Sequence, residues 1–323
     1  MPRHDRHLDT SGGQERFRSP PAKDSQMNSM RMRSWVLGVL AAVLFLGAAP
    51  ARAQVPTRDV WVELEGISFH GVYWNHCKQK TIIYLPGYGD PGTTGDSIFH
   101  RDSFADYAVL SIDPLNQGQS GHSTRTDLVA LMNKVILAFM NQEGISNAYL
   151  AGHSAGALQV LAFQQAHPAR ALNKVVLLDD GQISLGQTPP IQFLPGNVFG
   201  LPAGPYTVLE VEAMFFDPTA SDMTYDEYIT GLTAYTQFDV TQTWPAVKKA
   251  LLITRDFSLP AIPPSYGVDM SAADSAFQQA AAAFPGNVKH GRWIELTGAT
   301  HNMWNEPASA DAAATHIARF LRP

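Results

Sequence analysis

The sequence predicts an α/β fold, with a mainly parallel sheet, helices on both faces and one inserted cap. Three observations point to it. Short β-branched runs alternate with helix-patterned segments, the order that gives parallel strands joined by crossover helices. Polar, glycine-bearing turns follow the carboxyl ends of several of these runs, where the active sites of such sheets lie. The alternation breaks once, from Gln182 to Trp244, and then resumes.

The chain begins with a polar segment, residues 1–29, that shows no apolar periodicity. Met30-Arg-Met-Arg33 comes next, then the apolar run Trp35–Leu46, then Ala51-Arg52-Ala53 before Gln54. A basic segment, a short apolar run and an A-x-A site read as a signal peptide cleaved near Ala53. The uncharged run Ser34–Pro50 is short for a membrane span, so no stable membrane anchor is expected. The hydrophilic leader suggests a start at Met27 or Met30 rather than Met1. Residues 1–53 carry eight Lys/Arg against four Asp/Glu, so their removal takes the formal charge from −6 to −10. A body this acidic repels polyanions, and nucleic acid is not an expected partner. Cys77 is the single cysteine, which excludes an internal disulfide and a cysteine-type zinc site. Apolar residues at 45% and charged residues at 16% fit a globular chain with a sizeable core.

In the mature chain, Val60–Glu65 and Ile67–Trp74 read as an antiparallel pair joined near Gly66. Thr81–Leu85 is a β-branched strand that ends at Pro86-Gly-Tyr-Gly-Asp90, and Tyr107–Ile112 ends at Asp113-Pro-Leu-Asn-Gln-Gly-Gln-Ser-Gly121. A helix is expected from Thr126 to Gln142. Ala148–Ala151 is the next strand, Lys174–Leu178 another, and Lys249–Thr254 and Arg292–Leu296 the last two. Helices are expected at Ser271–Phe284 and Ser309–Leu321. The interruption at 182–244 is rich in Pro, Gly and aromatic residues and reads as the cap, with one helix-like stretch at Asp222–Thr236. The core is then assigned to 54–181 and 245–323.

The stretch that carries chemistry is Asn147-Ala-Tyr-Leu-Ala-Gly-His-Ser-Ala-Gly-Ala157. An apolar strand runs through Gly152-His-Ser-Ala-Gly156 into an apolar helical run, which is strand, G-x-S-x-G, helix. Both glycines are needed where strand and helix pass closely on a sharp turn. The turn exposes the Ser154 hydroxyl, and it sets the Ala155 N–H at a helix start, where a developing oxyanion meets the positive end of the dipole.

The order of four landmarks resembles the α/β-hydrolase superfamily over about residues 58–322. These are Pro86-Gly-Tyr-Gly89, Asp113-Pro-Leu-Asn-Gln-Gly-Gln-Ser120, Gly152-His-Ser-Ala-Gly156 and Gly298-Ala-Thr-His301. The resemblance implies an eight-stranded type of sheet and a serine, acid, histidine triad in that chain order. It places His301 as the general base, and it makes the Tyr88 N–H the second oxyanion donor beside Ala155. The Tyr88 ring is then available as a wall of the acyl pocket. The acid stays open. Most of the family carries it a few residues past the strand Lys249–Thr254, where Asp256 stands two residues early and Ser258 occupies the family position. Some relatives place it after the strand that follows the elbow helix, which is Asp179 here. Asp179 is favoured, Asp256 is second, and the adjacent Asp180 third. His153, inside the elbow, is assigned to packing.

A serine rather than a carboxylate nucleophile points to acyl transfer. The expected activity is hydrolysis of a carboxylic ester of a hydrophobic small molecule outside the cytoplasm, with no cofactor or metal. Lactone, amide or C–C bond hydrolysis is the alternative, as is a catalytically silent binding module.

Overall fold

The structure is a computed structural model, and it describes residues 55–179, 183, 185–217, 222–262 and 264–322. The leader with its cleavage site near Ala53, and the third candidate acid Asp180, lie outside the described residues.

The sheet grows outward from its most apolar strands. In β3 (Lys80–Leu85) and β4 (Tyr107–Ile112), every residue except Lys80 is buried. Such strands suit the middle of a sheet covered on both faces. Before them stand β1 (Thr57–Leu64) and β2 (Ile67–Trp74), joined by the two-residue turn Glu65–Gly66 with φ of 53° and 80°. Positive φ at both positions matches the right-handed twist of a hairpin, and glycine takes the second at no steric cost. The eight strands lie in the order β1-β2-β4-β3-β5-β6-β9-β11, where β5 is Ala148–His153, β6 Ala171–Leu178, β9 Lys249–Thr254 and β11 His290–Glu295. Only the β1–β2 and β2–β4 pairs are antiparallel. All the others are parallel.

Both faces are covered. On one, Ile83, Leu85, Leu150 and Leu177 pack with α2 (Leu128–Gln142) and α3 (Ala155–Ala166). On the other, Ile82, Tyr84 and Val176 pack with α1 (Asp96–Phe99) and α7 (Pro307–Leu321). Ten of the twelve residues of α3 are buried, which explains why it shows apolar residues all round instead of a stripe.

The predicted strands and helices are all present, the helix expected from Ser271 being α6 (Ser271–Asn287). The cap holds more order than its sequence suggested: β7 (Ile191–Phe193), β8 (Pro205–Tyr206), α4 (Val208–Phe215) and α5 (Tyr225–Thr236). Strands of two or three residues are too short to show a period of two. The small sheet is completed by β10 (Val268–Asp269), which pairs with β7, so the cap draws on residues beyond 182–244. Its own core gathers Ile191, Phe193 and Val211 from the insertion with Val268 and Ala273 from outside it. Among the described residues no helix is long and apolar enough to cross a membrane.

Candidate active site

Because β3, β5, β6, β9 and β11 are parallel neighbours, their carboxyl ends emerge along one edge. That edge carries in turn the Tyr88 loop, Ser154, Asp179, Arg255 with Asp256, and the loop to His301.

Ser154 caps α3 with φ 49° and ψ −124°, a conformation that a side-chain-bearing residue adopts only under constraint. The constraint is visible on both sides. Its N–H donates to Leu178 O at 2.9 Å, and its carbonyl accepts from Ala157 N–H at 2.8 Å. A Cβ on Gly152 would overlap the Gly156 carbonyl, and one on Gly156 would overlap the carbonyls of Leu85 and Pro86. The glycines therefore let strand, helix and the Tyr88 loop close on one another, and the start of α3 lies against that loop.

Asp179 follows β6 with φ 45° and is 7% exposed. Its Oδ2 lies 2.6 Å from His301 Nδ1, and its Oδ1 accepts from the Arg255 backbone N–H at 2.8 Å. A carboxylate on Nδ1 selects the tautomer in which Nε2 is the basic nitrogen. Asp256, the second candidate, goes elsewhere. Its Oδ1 accepts from the N–H and Oγ–H of Ser258 at 2.9 and 2.5 Å, and its Oδ2 from Gly298 N–H at 2.8 Å. The structure thus brings Asp179, and not Asp256, to His301; these bonds lower the Asp256 carboxyl below its ordinary value, with Ser258 the largest cause.

The His301 loop is tied down at several points. Asp256 grips Gly298, and Asp256 N–H donates to Ala299 O at 2.9 Å. Glu306 accepts from the Thr300 hydroxyl at 2.6 Å. From below, His153 donates its Nε2–H to the His301 carbonyl at 3.1 Å. A carbonyl can only accept, so His153 carries its proton on Nε2. Burial, and then the nearby His301 charge, push its pKa well below the imidazole value. His153 therefore stays neutral. Trp304 edges onto its ring at 4.1 Å between centroids. His153 packs, as its sequence position suggested, and it also fixes the backbone of His301.

The Tyr88 ring turns away from the cavity. Its hydroxyl donates to Glu227 O at 2.9 Å, and its ring meets Tyr228 and Tyr235 of α5 at 5.4 and 5.8 Å. The expected pocket wall is instead an anchor between the sheet edge and the cap.

Ser154, Asp179 and His301 line a cavity of about 180 Å³ whose other walls are largely apolar: Ile191, Val208, Val211, Ile262, Met270 and Phe277 among them. Three charged groups of that lining, Arg255, Asp274 and Glu212, were not assigned to the site from sequence. Arg255, 5% exposed, places Nη2 2.5 Å from Asp274 Oδ1 and Nε 3.7 Å from Asp179 Oδ2. Glu212, on α4, opens into the cavity. The signal that could have found Glu212 is its spacing, four residues after Val208 and one after Val211, on one helix face. Asp90, behind the Tyr88 loop, is pushed up to about 6 by burial, an effect that the His301 charge offsets in part. Among the described residues no group of His, Cys, Asp and Glu is arranged to hold a metal ion.

A family model described as the alpha/beta hydrolase family matches residues 82–315. The chain is 31% identical over 152 residues to a 2-hydroxy-6-oxononadienedioate/2-hydroxy-6-oxononatrienedioate hydrolase of Burkholderia vietnamiensis, covering 45% of this chain and 47% of that one. It spans about half the length of the curated relatives it matches. Among solved structures, it resembles the enol-lactonase of Burkholderia xenovorans LB400, with a TM-score of 0.56 and 18% identity over 81% of this chain and 99% of that one. It also resembles a 2-hydroxy-6-oxo-6-phenylhexa-2,4-dienoate hydrolase of Rhodococcus sp. strain RHA1, with a TM-score of 0.55 and 16% identity over 84% and 100%. At these identities the structural likeness is one of fold.

Proposed function

The chain belongs to the alpha/beta hydrolase family, and from that premise we propose that it hydrolyses a carboxylic ester or lactone of a hydrophobic small molecule through Ser154, His301 and Asp179. The single observation that carries this reading is the 2.6 Å contact of Asp179 with His301 beside a serine on a strained elbow, all facing one apolar cavity. Ser154 Oγ attacks the carbonyl while His301 Nε2 takes its proton. Asp179 holds the ring and stabilises the imidazolium without accepting that proton. The oxyanion is received by the backbone N–H groups of Ala155 and Tyr88, each a donor of the kind whose loss costs about 10²–10³ in rate. The imidazolium protonates the leaving alcohol, and water releases the acyl group by the same route in reverse.

A second reading, cleavage of a C–C bond next to a carbonyl, is favoured by the names of the relatives. The cavity supports it less well for a diacid of the kind those names describe. Among the described residues of its lining the one guanidinium, that of Arg255, is already paired with Asp274, and Glu212 faces the same space. A dianionic substrate would enter against that charge.

The sequence of the leader supports export, with cleavage near Ala53; N-terminal sequencing of the natural protein tests this. The activity is tested with p-nitrophenyl acetate and butyrate beside a vinylogous diketone acid. Turnover of the esters, lost in Ser154→Ala, supports ester hydrolysis. Turnover of the diketone alone supports the second reading, and silence on both favours a binding role.

A further inference from the structure

Among the described residues, the lining of the cavity holds three carboxylates, Asp179, Glu212 and Asp274, against one guanidinium. Two of the three have work inside the protein. Asp179 receives His301 and the Arg255 N–H, and Asp274 receives the Arg255 guanidinium. Glu212 stands outside those hydrogen bonds, although the His301 charge acts on it. Its polar neighbour among the described residues is the Tyr228 hydroxyl, which donates to Oε2 at 3.2 Å.

The helix that carries it explains its direction. Thr207 starts α4 with a capping box, its hydroxyl accepting from Glu210 N–H and Glu210 reaching back to Thr207 N–H at 2.8 Å. That fixes the helix phase, so Val208, Val211 and Glu212 share the face turned to the cavity. Glu212 itself is exposed to solvent, so its carboxylate stays charged at the edge of a largely apolar cavity, where it attracts a cation entering that space.

We propose that Glu212 is a cation subsite within the catalytic cavity, so that the substrate of this hydrolase carries an ammonium group on the part lying beneath the cap. This rests on the hydrolytic reading above. The ammonium meets the Glu212 carboxylate while the carbonyl sits at Ser154, and the apolar walls hold the chain between them. The same carboxylate disfavours substrates with a carboxylate at that end, which makes Glu212 a determinant of specificity as well as of affinity.

The test uses substrate pairs that differ only in charge. Butyrylcholine and neohexyl butyrate place a quaternary nitrogen or its carbon isostere on the alcohol side. The p-nitrophenyl ester of γ-(trimethylammonio)butyric acid and its tert-butyl isostere do so on the acyl side. The inference predicts that wild type prefers the cationic member of one pair by about 10- to 100-fold in kcat/KM, the scale of a charge-assisted contact. Glu212→Gln removes that preference and leaves the neutral member within about threefold, which also shows the variant to be folded. An unchanged preference in Glu212→Gln, or none in wild type, overturns it. Binding is read apart from turnover by titrating Ser154→Ala with uncleaved butyrylcholine and neohexyl butyrate, and with the acyl-side pair. Equal affinities within both pairs overturn the cation subsite whatever the kinetics show. Tight cation binding without turnover of any ester by wild type upholds the subsite and overturns the ester reading instead.

Discussion

Asp179 serves two neighbours at once: one oxygen stands 2.6 Å from His301 Nδ1 and the other accepts the Arg255 backbone N–H at 2.8 Å. The carboxylate is thereby fixed to its strand end before it meets the imidazole. Ser154, with its own N–H bonded to Leu178 O, is anchored to the residue immediately before Asp179. The serine and the acid therefore share one rigid sheet edge, and only the histidine comes from a loop.

Replacing Asp179 by Asn keeps the shape of the side chain but removes the charge and favours the wrong imidazole tautomer. Ester hydrolysis is expected to fall by about 10³–10⁴, read as kcat on p-nitrophenyl butyrate. Asp256→Asn acts on the loop rather than the ring. It weakens the hold on Gly298 and Ser258 and is expected to cost about tenfold or less.

Arg255 is buried with Asp274 and Asp179 around it. Arg255→Met leaves the part-buried Asp274 without its cation, and a loss of about 1–3 kcal/mol is expected in urea unfolding. A double variant, Arg255→Met with Asp274→Leu, is expected to recover part of that loss, since both charges are then gone.

His153 gives a stability dependence on pH with a definite sign. It is neutral and buried in the fold, with a pKa below its unfolded value, so unfolding takes up a proton once the pH drops. Its contribution is complete above about pH 6.5 and is lost as pH falls, by up to about 1.4 kcal/mol per unit. His153→Gln, which has an amide N–H to offer the His301 carbonyl, is expected to lower stability at pH 8 and to flatten the acid limb. Chemical unfolding at pH 8, 6.5 and 5 reads both effects.

Gly231 sits where the Tyr88 hydroxyl crosses α5, and a Cβ there would overlap that oxygen. Gly231→Ala gains up to about 1 kcal/mol in helix propensity. It also pushes Tyr88 off its bond to Glu227 O, and the overpacking costs about 1–3 kcal/mol. A lower Tm is expected, and Tyr88→Phe in the same background is expected to restore part of it.

The contrast between what was readable in the chain and what was not follows the range of the interactions. Strands such as Thr81–Leu85 and Tyr107–Ile112 announce themselves because burial on both faces demands continuous apolar runs. The serine elbow is equally local: two glycines, a strand and a helix lie within eleven residues. The choice between Asp179 and Asp256 is not local. Both follow adjacent parallel strands, with Leu178 paired to Ile253, so both emerge beside the His301 loop. What separates them is a backbone turn, φ 45° at Asp179, and the hydrogen bonds that turn Asp256 toward Ser258 and Gly298. The cap was legible only as an interruption. Its strands are too short for periodicity, and Glu212 becomes informative only once the face it shares with Val208 is known to point at Ser154.

The most direct test of the account is the rate at which a fluorophosphonate labels the protein, with the modified residue located by peptide mass spectrometry. The account predicts a single adduct on Ser154, formed at a rate that collapses in Asp179→Asn and His301→Ala and stays within about tenfold in Asp256→Asn. Labelling elsewhere, or labelling of Ser154 that is indifferent to Asp179, would contradict it.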